Sequence, residues 1–277
     1  MKIAVIPNNN LDNIDNCDAL IIGLKDFSCN MYEESFDYIS NLVNNSNKEI
    51  FVGINKNIHN DEIDTLKDYL IKFSKMNIKG ILYADVAVLK INNDLNLNLN
   101  LIWSQEHLVT NYNTISFWLS NGAKGAFLSN EITLREINEI RENISSPLML
   151  QVFGYIPIYV SRRHAVKNYL DNFNIKHDKS FNYIFKEDKK YPILDKKNGT
   201  EVYSNNILCT LDEFESFRKF DYIVLSFFNI SGDYNKIIDY YRNVNNKNIK
   251  EYMDNLNQEY SNLDKIFWFR ETIYKVK

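Results

Sequence analysis

Few residues in this sequence have the type and spacing to do chemistry, and they lie at the ends of apolar runs. Arg162 and Arg163 are adjacent in LQVFGYIPIYVSRRHAVKNYL, Leu150 to Leu170. Guanidinium forks bind carboxylate or phosphate through paired hydrogen bonds, and a helix starting near Ser161 would aim its free N–H groups at the same anion. Without an anion, two cations in a first helical turn oppose the helix dipole by roughly 0.3 to 1 kcal/mol each. The pair is therefore expected to hold an anionic ligand, a phosphate or a small carboxylate, with Arg163 the stronger candidate. The alternative is an ion pair to a carboxylate such as Glu131. Glu131 itself follows an apolar run in FLSNEITLREINEI, and Glu106 stands beside His107 in WSQEHL. Both are candidate catalytic carboxylates. For Glu131 the alternative is simple complementarity to the positive end of the helix that follows.

Other chemistry is poorly represented. There is no GxSxG elbow, no HExxH and no Asp-Thr-Gly or Asp-Ser-Gly, so hydrolysis has no recognisable motif. Four histidines without an i, i+4 pair do not form a local zinc site. The three cysteines, Cys17, Cys29 and Cys209, are too scattered for a CxxC pair or a disulfide framework. A net charge of -4 argues against broad attraction to nucleic acid. A local exception is the lysine-rich stretch from Lys176 to Lys197, whose simplest reading is a solvated loop. No 18-residue apolar span and no signal peptide are visible, so the expectation is a soluble cytoplasmic protein with no membrane contact.

These residues need elements to position them. Short β-branched runs alternate with amphipathic helical segments along most of the chain. The expected strands are Lys2 to Ile6, Asp18 to Gly23, Ile50 to Asn55, Gly80 to Ala84, Leu99 to Trp103, Gly125 to Leu128, Leu148 to Phe153 and Tyr222 to Phe228. Helix signals include an N-cap at Asn60, a C-terminal Gly122, and capping boxes at Thr133/Glu136 and Thr210/Glu213. Apolar strands each followed by a helix imply a parallel sheet covered on its outer face. With no GxGxxG turn after any strand, the expected fold is an α/β TIM-like (β/α)8 barrel rather than a doubly wound sheet. The barrel is expected over residues 1–245, with an insertion over 171–210 that folds as a hairpin around Asn198-Gly199. Residues 246–277 should form a terminal helix and a tail packed on the barrel. In such a barrel the strand ends face one mouth, which puts Asn8, Lys25, Lys56, Asp85, Gln105, Glu106, Asn111, Asn130, Glu131, Tyr155 and Asn229 near the site. Asn111 and Tyr155 join the two arginines as expected substrate-binding residues.

The order of the pieces resembles the short-chain members of the peptidase U32 family, the collagenase-like proteases. The resemblance rests on DALIIG from Asp18, TNYNTISFWLSNGAKGAFLSNEITLREINEI from Thr110, QVFGYIPIYVSRRHAVKNYL, YPILDKKNGTEVYSNNILCTL and the terminal ETIYKVK. It implies a TIM-like barrel and a part in oxygen-independent hydroxylation of RNA, with the tRNA wobble uridine the leading substrate, a longer U32 paralogue as partner, and tRNA itself as a further partner. A collagenase-like peptidase and a non-catalytic binding or scaffold subunit are the alternatives. Many members carry an iron–sulfur cluster on four cysteines. Here Ile156 or Pro157 and His164 stand where two of them are expected, and no cofactor is anticipated. Gln151 replaces a usual Glu, SFFNIS from Ser226 departs from a Lys-Ile-Glu-Gly-Arg type run, and Asn130-Glu131-Ile132 is similar to an Arg-Glu-Leu step. Arg163 beside a lost cysteine suggests a ligand pocket that outlived the cluster.

Overall fold

The computed structural model describes residues 1–8, 11, 14–176 and 182–270. The chain opens with β1 (Lys2–Ile6), β2 (Ala19–Leu24), the short β3 (Glu33–Glu34), α1 (Phe36–Asn45) and β4 (Glu49–Ile54). It continues through α2 (Ile63–Phe73), β5 (Gly80–Tyr83), α3 (Val86–Asp94), β6 (Leu101–Trp103), α4 (Tyr112–Ser120) and β7 (Gly125–Phe127). Then come α5 (Leu134–Asn143), β8 (Leu148–Ser161), α6 (Ala165–Asn172), β9 (Asn182–Lys186), β10 (Lys189–Lys196) and β11 (Gly199–Cys209). The last elements are α7 (Phe214–Phe217), β12 (Tyr222–Ser226), α8 (Tyr234–Asn243), α9 (Ile249–Glu259) and β13 (Leu263–Asp264).

Strands β1, β2, β4, β5, β6, β7, β8 and β12 pair in parallel in that order, and β12 closes the ring by pairing with both β8 and β1. This is the expected TIM-like (β/α)8 barrel. Successive side chains in a strand face opposite ways. Ala4, Ile21, Phe51, Leu82, Ile102, Met149 and Val224 therefore fill the barrel, while Ile3, Leu20, Ile22, Val52 and Ile223 pack outward against the helices. Each such aliphatic side chain contributes about 1.5 to 3 kcal/mol on burial. That is why these runs carry so few polar residues.

Local signals hold in places and fail in others. Thr133 and Glu136 form a reciprocal capping box at α5, and Gly122 follows α4 with φ +116. Asn60 instead begins a short 3-10 turn capped by His59, and α2 starts at Ile63. The Thr210 hydroxyl donates to the Val152 carbonyl at 3.2 Å rather than capping a helix, because Thr210 is buried against the barrel. Ile266 and Trp268 are buried, so the IFWF segment does pack on the barrel; the expectation for ETIYKVK falls outside the described residues.

The main departure is β8. The strand expected over Leu148 to Phe153 runs on unbroken through Gly154 and Pro157 to Ser161. Gly154 has φ +113, and a Cβ there would meet the Ser226 carbonyl oxygen at 2.2 Å, so only glycine lets β8 pass so close to the end of β12. Beyond Phe153 the β12 pairing ends and β11 is the remaining ladder partner. Pro157 pairs with Tyr203 beside a register shift in the β8–β11 ladder, the kind of irregularity that tolerates a residue without an N–H. The insertion is thus an antiparallel sheet, β8–β11–β10–β9, growing out of a barrel strand. The β10–β11 hairpin reverses at Lys197 and Asn198, with Gly199 at φ +127.

Candidate functional site

The insertion sheet folds back over the C-terminal mouth of the barrel. Alternation along β10 and β11 puts Leu194, Lys196, Glu201 and Tyr203 on the face toward the mouth, while α6 covers the other face through N–H bonds from Val166 and Lys167 to Asp195. Glu201 is the junction. Its carboxylate accepts from the Asn30 backbone N–H at 2.8 Å and from the Tyr203 hydroxyl at 2.8 Å, and lies 3.2 Å from Lys196 Nζ. Lys196 also donates to the Met31 carbonyl at 3.0 Å and sits 4.3 Å above the Phe228 ring. Far from being a solvated loop residue, Lys196 is the cation that neutralises the mouth.

Two adjoining spaces open there. An outer cleft of about 480 Å³ is bounded by the loops after β2, β4 and β6, by the end of β8 and by the β10–β11 turn. A small inner pocket of about 30 Å³ lies below it, and the two share Asn30, Asn55, Ser104 and Glu106. Glu106 therefore forms the floor of one and the rim of the other. Burial pushes its carboxyl up to about 8, a hydrogen bond from the Asn30 amide works against that, and Glu201 and Glu131 add to it. Glu33 is pushed up to about 7 by burial, opposed by Lys196. Burial thus biases Glu106 toward its protonated form, in which it can donate a hydrogen bond. Around it Asn30 Oδ1, Gln105 Oε1 and Asn130 Oδ1 are buried without a hydrogen-bond partner among the described residues.

The expected site residues divide. Glu106 and Tyr155 line the mouth, and Arg162 lines the outer cleft. Arg163 is exposed, its backbone N–H donating to Ser161 Oγ at 3.2 Å and its carbonyl accepting from Thr200 at 2.7 Å. Neither arginine is in a helix: α6 begins at Ala165, because Thr200 and Asp195 take up its first N–H groups and set its start. Tyr169, on α6, is exposed. Asn111 caps α4 by accepting from the Thr114 N–H at 2.9 Å and does not line the cleft. Glu131 is exposed at the rim and pairs with His107 Nδ1 at 3.2 Å, not with an arginine. Asp85 is likewise a helix cap, bonded to the Ala87 N–H, and Lys56 pairs with Glu62. Gln151 donates to the Phe153 and Tyr155 carbonyls and accepts from Asn130, two donations a glutamate there could not make. Sequence reasoning missed Asn30, Glu33 and Glu201. The signal nearest to finding them was the Asn-Gly turn, which fixes where Glu201 faces once the hairpin register is known.

The cysteines do not fit a four-thiolate cluster of the kind the resemblance implies. Three are present. Cys17 is buried just before β2, Cys29 in the mouth and Cys209 at the end of β11, and each thiol is pushed up by burial. No group of three or more metal-binding side chains occurs among the described residues. Cys29 is also a poor nucleophile, since burial, with Glu106 and Glu201 adding to it, keeps the thiol protonated.

Comparison with known proteins agrees with the barrel fold. The chain is 30% identical over 209 residues to "tRNA hydroxylation protein P2" of Bacillus subtilis, a match spanning 71% of this chain and 68% of that protein. It is 25% identical over 174 residues to "tRNA hydroxylation protein P1" of the same organism, spanning 59% of this chain and 41% of that longer protein. The solved structure of a U32 peptidase superposes with a TM-score of 0.53 at 14% identity, over 84% of this chain and 94% of that one, a likeness of fold. The family model described as "Peptidase family U32" matches residues 14–273, nearly all of the barrel, its insertion and the terminal helix, and the chain belongs to that family.

Proposed function

We propose that this protein takes part in tRNA hydroxylation, with the wobble uridine as the modified base and the barrel mouth as the place where that base is held. The observation that carries the reading is the place of Glu106 on the cleft floor, among buried amide oxygens that have no partner among the described residues and with its carboxyl pushed up by burial. Such a floor suits an uncharged ring bearing both N–H and carbonyl groups, and it repels an anion. The cleft of about 480 Å³ has room for a flipped-out base. Phosphate recognition belongs at the rim, where Arg162 and Lys197 stand. The similarity to proteins named for tRNA hydroxylation supports the same reading.

In this proposal the chain carries no iron–sulfur cluster and works beside a longer U32 paralogue that supplies one, in the cytoplasm where tRNA is found. Among the described residues no helix is long and apolar enough to cross a membrane. The peptidase alternative gains nothing from the mouth, where Cys29 is held as a thiol. Nucleoside mass spectrometry of tRNA from a strain lacking the gene tests the proposal. Loss of a hydroxylated uridine supports it, and an unchanged profile of modified nucleosides rejects it.

A further inference from the structure

The outer half of the insertion sheet has a character that the mouth alone does not explain. Strand β9 is the far edge, paired to β10 with Phe185 opposite Lys190 and Lys186 opposite Lys189. From Tyr183 to Lys186 it is exposed, and Phe185 is 73% accessible. Alternation along β10 carries Lys190 onto the face that holds Leu194 and Lys196, and the register brings Phe185 and Tyr183 to that same side. This aromatic corner therefore continues the wall of the mouth, roughly 13 Å along β10 from Leu194. Lys190 Nζ sits 3.7 Å from the centre of the Tyr183 ring. Lys186 and Lys189 face each other across the ladder on the opposite face of the sheet from Phe185 and Lys190. Glu187 and Asp188 occupy the hairpin tip, so the cations belong to the strands rather than the turn.

We infer that this corner is a docking platform for single-stranded RNA, with Phe185 stacking on a base and Lys190, on the same face, holding the backbone, so that the strand is led into the mouth. The inference rests on the proposed tRNA function and adds where the RNA is gripped. A stacking ring beside a cation is the arrangement that binds unpaired nucleotides without reading sequence. Pairing with another protein strand is disfavoured by Lys186, Lys189 and Lys190, which guard an open sheet edge against such addition.

The test is fluorescence anisotropy with a labelled, unstructured RNA of about ten nucleotides, using the full chain and the variants Phe185→Ala, Phe185→Trp and Lys190→Ala. Phe185 is exposed enough for each variant to keep the wild-type thermal midpoint, which is checked in parallel. The expected result is binding weakened about 5-fold or more by Phe185→Ala, restored by Phe185→Trp, and less steeply dependent on salt for Lys190→Ala. Wild-type affinity in Phe185→Ala overturns the platform. So does absence of RNA binding by every form together with loss of a purified U32 paralogue by Phe185→Ala, which would make the corner a protein interface. Because tRNA modification in the deletion strain is scored separately, failure of the platform is distinguishable from failure of the functional reading.

Discussion

The Asn30 backbone N–H donates to the Glu201 carboxylate at 2.8 Å across 171 positions of sequence. One end of that bond is the loop after β2, the other is β11 of the insertion, so the lid of the mouth is fastened to the barrel at the site itself. Glu201 is 3% exposed and Lys196 is its cation. The fastening therefore depends on a nearly buried charge being answered.

Lys196→Met should leave that charge without its partner and lower stability by about 2 kcal/mol, less than for a fully buried pair because the lysine keeps some solvent access. Lys196→Met combined with Glu201→Gln should recover part of the loss. Chemical denaturation of the four forms measures the coupling, and additive losses would show that the pair does not act as a unit.

The pH dependence of stability should reveal Glu106. Its folded pKa is about 8 against an ordinary 4.5. The fold favours the protonated form, so the stability contributed is fully present below 4.5 and is lost as pH rises through about 8. Glu106→Gln has nothing to ionise. The midpoint of Glu106→Gln relative to wild type should therefore climb between those two pH values and level off above them. A difference independent of pH would mean the carboxyl titrates normally.

Gly199→Ala tests how the hairpin is tied to β8. A Cβ there meets the Ser161 carbonyl oxygen at 1.9 Å, in a backbone with φ +127. The cost should exceed about 1 kcal/mol and fall on the insertion, so limited proteolysis should cut within 182–209 while the barrel stays resistant. An unchanged midpoint and unchanged cleavage would contradict the geometry.

Much of the barrel is legible in sequence because its strands are buried on both faces and cannot hide polar residues. Ile21 and Ile22 point opposite ways and both are buried. The path of β8 is not legible, since Gly154 and Pro157 are turn residues by type and become strand residues only through a close approach to Ser226 and a register shift in the ladder with β11. The mouth is half legible. Glu106 follows a strand and can be placed by counting, whereas Glu201 reaches the mouth only through the register of β10 and β11. Glu131 shows the opposite failure: the position is right for a mouth residue, but His107 draws its side chain to the exposed rim.

Anaerobic purification should give a colourless protein without stoichiometric iron or sulfide, because the three thiols lie on separate elements and burial holds each protonated. A brown product containing both would show that the chain assembles a cluster after all and would return redox chemistry to it.

The most direct measurement is the hydroxylated uridine content of tRNA in a deletion strain complemented with wild type, Glu106→Gln or Glu131→Gln, with protein levels matched by immunoblot. Wild type and Glu131→Gln should restore the modified nucleoside and Glu106→Gln should not, because only Glu106 stands on the floor of the cleft as a proton donor. Full restoration by Glu106→Gln would contradict the assignment of the mouth as the site that holds the base.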